Sequence, residues 1–355
     1  MGGPFRDSSV SREPLLSKAD PPVPTVAAIV VTFNRREQLQ KTVARLLAEP
    51  VDRLLVVENG STDGSRAWLA ALTDPRLTVI EMAQNGGGAL GFETGMREAR
   101  RRFDPDWLLL MDDDARPCPG AIARFRQGLA ANRWPGAEAL AAAVRFPDGG
   151  ICEMNRPWVN PFASPGVFLR VLAGGGRAAF HIPDAAYETE APRPLDGTSF
   201  VGFFVSRAGA IRAGYPDGRL FIYGDDVLYT LGLTQAGGRL LFAPDLAFEH
   251  ECGTQRAGAI PSPLWKVYYT YRNRWLIYRR AAGAWIFPLL MTAMLPRWLA
   301  IGGALPRPER RTCRRLVRLA IKDALHGNFT RSHAEIVALA KPGTPAPPSK
   351  KLRDG

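Results

Sequence analysis

The chain has 355 residues, 46% hydrophobic and 23% charged, ordinary for a globular protein and enough for one large or two modest cores. Its net charge of +12 is lopsided: from Pro261 onward 18 Lys and Arg face 4 Asp and Glu, while the first 260 residues carry 28 against 30. A basic tail on a near-neutral body suits an anionic lipid surface, and with no recognisable motif for it, nucleic acid is not an expected partner.

Residues 1–24 are polar and proline-rich with no apolar core, and read as a disordered leader. Val26–Val31 is a continuous apolar run of the kind buried on both faces of a parallel sheet, and it ends at Thr32-Phe33-Asn34-Arg35. Leu39, Val43, Leu46 and Leu47 then recur at helical spacing. Leu54–Val57 predicts a second strand, ending at Glu58-Asn59-Gly60-Ser61-Thr62-Asp63-Gly64-Ser65, a run able to cap the helix that carries Trp68, Leu69 and Leu72. Leu77–Ile80 is a third strand. Asn85-Gly86-Gly87-Gly88-Ala89-Leu90-Gly91-Phe92 follows it and opens a helix through Met96 and Ala99. Trp107–Met111 is a fourth strand, stopped by Asp112-Asp113-Asp114 and then Pro117 and Pro119. Such alternation predicts a mostly parallel α/β sheet with helices on both faces, whose ligands bind outside the carboxyl ends of the strands.

Residues 145–195 are aperiodic, rich in Pro and Gly, and read as a long functional insertion. Gly197–Val205 predicts a strand. Phe221-Ile222-Tyr223-Gly224-Asp225-Asp226 leads into a helix through Leu228, Leu231 and Leu233, Arg239–Phe242 is another strand, and His250 stands shortly beyond it. From Pro263, Trp265, Tyr268, Tyr269, Tyr271, Trp275 and Tyr278 share a helix with several arginines, and the apolar stretch after Ala281 is broken by Pro288, Pro296 and Arg297. That stretch is short for a membrane span and reads as an interfacial or re-entrant helix pair, with a buried C-terminal bundle as the alternative. The last fifteen residues read as a loose tail. Cys118, Cys152, Cys252 and Cys313 lack any zinc spacing and read as reduced thiols.

Three carboxylates at the end of a buried strand repel one another, and the arrangement is reasonable if a divalent cation sits there. Asp112 and Asp114, two apart, point the same way in extended chain, and oxygen ligands favour Mg²⁺ or Mn²⁺. A solvated acidic turn is the plainer reading. Asp225 and Asp226 read either as an acid/base pair or as carboxylates that complement a helix dipole. Gly86-x-Gly88-x-x-Gly91 matches the dinucleotide fingerprint, so an NAD-dependent oxidoreductase is a rival. That fingerprint, however, belongs to the first strand–turn–helix of its fold, and here two such units precede it. A degenerate domain serving only as a scaffold is a third reading. The intact carboxylates speak against it, because an unused charged cluster gains stability by substitution.

Taken in order, Val30-Val31-Thr32-Phe33-Asn34-Arg35, Val57 to Ser65, Asn85 with its glycines, the aspartate triplet, Gly224-Asp225-Asp226 and His250 resemble the inverting glycosyltransferases of family 2, over roughly residues 26–255. The resemblance implies a GT-A fold over 25–260, with residues 261–340 as a helical membrane-surface region. The glycine stretch and triple aspartate are further similar to bacterial galactofuranosyltransferases that extend polyprenyl-diphosphate-linked glycans, with rhamnosyltransferases using dTDP-rhamnose as the alternative. It implies that Thr32, Asn34, Arg35, Glu58 and Asp63 hold the base and ribose of a UDP-sugar, that Asn85 and Gly87 grip the donor next, and that Asp113 lies near the ribose or sugar. It also implies that Asp112, Asp114 and His250 bind Mn²⁺ or Mg²⁺, and that Asp226 is the general base with Asp225 orienting it or the acceptor. The expected acceptor is a lipid-linked glycan at the cytoplasmic face of the cell membrane; the oligomeric state is left open. Two positions depart from the family pattern: Glu58, where many relatives have Asp, and Val227, where an acid often follows the Asp pair.

Overall fold

The structure, a computed structural model, describes residues 23–252 and 260–342; most of the expected leader and tail lies outside them. Apolar runs fold into β1 (Val26–Thr32), β2 (Arg53–Glu58), β3 (Leu77–Glu81) and β4 (Trp107–Asp112), crossed over by α1 (Arg36–Leu47), α2 (Ser65–Ala70) and α3 (Gly87–Arg102). These four strands are parallel, in the order β3-β2-β1-β4. Alternate residues of β1 feed two cores. Val26, Ala28 and Val30 pack with Leu39, Val43 and Leu46 of α1, and Ala27, Ile29 and Val31 pack with Phe92, Met96 and Ala99 of α3.

After β4 the chain does not go straight into a helix at the prolines. It first adds a short edge strand, β5 (Ala115–Pro117), and then forms α4 (Ala121–Ala130) and β6 (Ala139–Arg145). Pro117 is tolerated because an edge strand can lack one donor. The insertion contains α5 (Pro165–Arg170), β7 (Arg193–Leu195) and short 3-10 and π-helical segments joined by turns. The strand expected over 197–205 is confined to β8 (Phe203–Ser206). Gly202 has φ 64°, which ends the ladder, and Thr230 Oγ1 takes the Thr198 N–H at 3.2 Å and donates back to its carbonyl at 3.2 Å.

α6 (Arg207–Ala213), α7 (Asp225–Gln235) and β9 (Leu240–His250) follow. The sheet continues β8-β6-β9-β5, with β7 also on β9; β8 is antiparallel to β4 and β6, and β9 is parallel to β6. β9 is longer than expected and makes His250 its last residue, paired with Ala115 of β5.

The C-terminal part is α8 (Trp265–Ala300, broken at Gly283), α9 (Arg307–Leu325) and α10 (His333–Leu339). Tyr268, Tyr269, Tyr271 and Trp275 pack with Cys313, Leu316 and Val317 in a third core. This half of α8 therefore buries the aromatics that were expected at headgroup depth. The second half behaves differently: Trp285 is 94% exposed and Leu289 71%. Among the described residues no helix is long and apolar enough to cross a membrane.

Candidate active site

Parallel register brings the tips of β1, β2 and β4 side by side, with Thr32 opposite Glu58 and Val31 opposite Asp112. The short β5–β9 ladder then delivers His250 from the far side of the sheet. Its Nε2 lies 3.0 Å from Asp114 Oδ1, and its Nδ1 lies 2.7 Å from Asn155 Oδ1. The Asn155 amide nitrogen donates to Ser199 Oγ at 2.8 Å, which fixes Oδ1 as an acceptor and places a proton on His250 Nδ1. Asn155 sits in the aperiodic insertion, where the sequence gives no sign of a site residue.

Ligand atoms of Asp112, Asp114 and His250 lie within 4.8 Å of one another, and no hydrogen bond reaches the Asp112 carboxylate among the described residues. Burial and the neighbouring charge of Asp114 push Asp112 up to about 7. Asp114 goes the other way. Burial opposes its ionisation, yet the bond from His250 and the charges of His250 and Arg35 hold it below the usual carboxylate range. Burial also works against a charged His250, but its bond to Asp114 raises it to about 12. Two carboxylates and an imidazole whose Nε2 meets them are a donor set suited to a divalent cation, and a bare half-buried carboxylate is costly without one.

The residues expected to hold a nucleotide divide in two. Asn34, Arg35 and Asp63 line an open pocket of about 720 Å³ together with Asp114. Arg35 is bonded to Asp114 and lies 3.6 Å from Asp113. Asn34 Oδ1 accepts the Thr62 N–H at 2.7 Å, and Asp63 accepts that of Arg36 at 2.8 Å, so the two loops brace each other. Thr32, Glu58 and Asp113 are buried and turned into the protein. Thr32 Oγ1 donates to Asp113 at 2.8 Å, and burial raises Asp113 to about 6. Glu58, fully buried, accepts the Ser61 N–H at 2.5 Å and takes Arg66 NH2 at 3.0 Å. As folded, these three are buried at the rim and shape it from inside.

The glycine run packs closely against other parts of the protein. A Cβ on Gly87, at φ 81°, would lie 2.1 Å from the Phe221 carbonyl oxygen, and one on Gly91 would lie 2.4 Å from Val31 Cγ1. The run thus admits other protein segments, and only Gly88 faces open space. Asn59, buried, staples it by accepting the Gly86 N–H and donating to the Gly87 carbonyl, both at 2.9 Å; Asn85 Oδ1 caps the Gly87 N–H at 2.8 Å.

The Phe221 loop carries the second acidic pair. Phe221, Tyr223 and Gly224 have φ 68°, 67° and 85°, and the two aromatic residues each store about 1–3 kcal/mol of backbone strain. Asp225 and Asp226 follow at the start of α7, within electrostatic reach of Asp112. Burial raises Asp226 to about 6 against the pull of the Val227, Asp226 and Gly224 N–H groups; burial, with the charge of Asp226 adding to it, also holds Asp225 well above the usual carboxylate range. Metal-type ligands and a base-like carboxylate therefore share one end of the sheet.

Comparison with known proteins shows a glycosyltransferase domain. Residues 27–134 match the model of Glycosyl transferase family 2, and the chain carries a domain of that family. It is 28% identical to the galactofuranosyltransferase GlfT1 of Mycobacterium tuberculosis over 290 residues, 78% of this chain and 88% of the relative. It is 26% identical to an N-acetylglucosaminyl-diphospho-decaprenol L-rhamnosyltransferase of the same organism over 247 residues, 62% of this chain and 74% of the relative. Among solved structures the fold is similar to GalNAc-T7 with UDP, GalNAc and Mn²⁺ (TM-score 0.54, 12% identity, 86% of this chain and 57% of that one). It is also similar to Staphylococcus aureus TarS (TM-score 0.51, 15% identity, 89% of this chain and 50% of that one), so this chain spans about half the length of these two neighbours. The GT-A architecture expected from sequence is thereby borne out, and the oxidoreductase reading falls with it.

Proposed function

We propose that the protein moves galactofuranose from UDP-galactofuranose onto a lipid-linked glycan by a single inverting displacement, using Mn²⁺ or Mg²⁺. The observation that carries this reading is the convergence of Asp112, Asp114 and His250 with Asp225 and Asp226 at one rim. Asp112, Asp114 and His250 would hold the cation, whose chemistry is Lewis-acid stabilisation of the departing diphosphate. Asn34, Arg35 and Asp63 line the pocket beside it and would meet the base and ribose, while Asn85 and Gly87 would set the course of the glycine run next to the sugar. Asp226 accepts the acceptor hydroxyl's proton, and a carboxylate raised to about 6 is ionised at neutral pH yet basic enough to do so. Asp225 beside it orients the incoming hydroxyl. Transfer of rhamnose from dTDP-rhamnose is the second reading, favoured by the similarity to a rhamnosyltransferase. The basic, partly apolar C-terminal region supports a membrane-surface acceptor on the cytoplasmic side.

The test is nucleotide release by the purified protein from a panel of UDP- and dTDP-sugars with Mn²⁺ or Mg²⁺ and a polyprenyl-diphosphate glycan. UDP-galactofuranose is expected to turn over fastest. Asp226→Asn should lower transfer about 10²–10⁴-fold while metal-dependent UDP binding stays intact; near-normal turnover of that variant would remove Asp226 from the role.

A further inference from the structure

The loop 218–226 is held in its strained course by two neighbours on α8 that no sequence motif marks. Asn273, buried, donates from its amide nitrogen to the carbonyls of Leu220 (3.1 Å), Ile222 (2.8 Å) and Tyr223 (2.8 Å). Its Oδ1 accepts Arg272 Nε–H at 2.9 Å, which fixes the amide's orientation. The Arg272 guanidinium, also buried, donates to the carbonyls of Arg219 (3.2 Å) and Leu220 (2.7 Å) and lies over the rings of Tyr268, Tyr269 and Phe329 at 5.1–5.4 Å. From the opposite side the Ala89 N–H donates to the Phe221 carbonyl at 3.1 Å. A Cβ on Gly224 would lie 2.7 Å from Ile277 Cδ1 of α8. Three backbone carbonyls of one loop taken by one buried amide specify a path, because a shifted loop would leave buried acceptors unpaired.

We propose that Arg272 and Asn273 are positioning residues: the C-terminal helical region is part of the transfer centre, and it acts by fixing the loop that presents Asp226 to the acceptor. This rests on the transferase reading above. Asp112, Asp114, Asn34 and Arg35 belong to other elements, so UDP binding does not depend on the clamp; of the donor side, only the glycine run, where Gly87 and Ala89 meet the Phe221 carbonyl, touches the loop. Loss of the clamp therefore separates the two halves of the reaction. Transfer suffers, and nucleotide binding does not.

The experiment compares Asn273→Asp, which turns the three-way donor into an acceptor, with Asn273→Ala, which removes it without adding charge. Leu316→Ala serves as a control that loosens the core joined by Phe221 and Ile222 without removing a hydrogen bond to the loop. All are assayed where circular dichroism shows them folded, for kcat, donor KM and Mn²⁺-dependent UDP binding by calorimetry. A misplacement near 1 Å predicts kcat lower by about 10²-fold in both Asn273 variants, with UDP binding within about threefold of wild type. Leu316→Ala should keep its kcat. The proposal is overturned if the Asn273 variants keep kcat within threefold, if UDP binding falls in step with kcat, or if Leu316→Ala loses as much. A wild-type protein that neither binds UDP with Mn²⁺ nor releases it would instead overturn the transferase reading.

Discussion

As folded, Asp112 is pushed up to about 7 by burial and by Asp114, and His250 keeps its proton up to about 12, against burial, through its bond to Asp114. Ligation needs both groups deprotonated, so cation binding must expel protons. The sign follows: Mn²⁺ affinity rises with pH and falls steeply below about 7, and calorimetry in buffers of different ionisation heat should show proton release. Asn155 sets the ring by taking the Nδ1 proton at 2.7 Å. Removing such an outer partner commonly costs 10–100-fold in metal affinity, which predicts that loss for Asn155→Ala with the fold retained. The aspartate triplet was legible because three acids closing an apolar run need a reason. Asn155 was not, because its role comes from a ladder between two distant strands that places His250 beside it.

At the scale of elements, the four parallel strands were readable because each is buried on both faces and so reads as an unbroken apolar run. Boundaries governed by tertiary partners were not. Gly197–Val205 has strand-like side chains, yet α7 takes the Thr198 backbone, and β8 shortens to four residues. What the sequence did not show is that Gly87 makes room for the Phe221 carbonyl. Gly87→Ala must therefore both clash and adopt φ 81°, and it is expected to cost roughly 2–4 kcal/mol or to displace the loop. Denaturant unfolding and transfer assays on that variant should show both effects, while Gly88→Ala, which meets nothing within 4 Å, should leave transfer and stability close to wild type.

For the whole molecule, the charge asymmetry read from sequence falls on α8 and α9, but their aromatic half forms a core of its own. Composition alone could not separate the two halves of α8, since buried and surface aromatics look alike until their partners are known. What faces outward is Trp285, Leu289 and the arginines at 279, 297, 311, 314 and 318. A lipid surface suited to that face predicts co-sedimentation with vesicles containing anionic lipid, weakened by salt and reduced several-fold in Trp285→Ser combined with Leu289→Ser. Retained binding by that double variant would place the membrane contact elsewhere.

Asp112, grouped with Asp114 and His250, lies within electrostatic reach of Asp226. The most direct measurement is UDP release from UDP-galactofuranose, with a polyprenyl-diphosphate glycan acceptor, before and after stripping divalent ions with a chelator. The expected result is loss of release on stripping, recovery on adding Mn²⁺ or Mg²⁺, and no recovery in Asp112→Asn. Undiminished release from the stripped protein would contradict it.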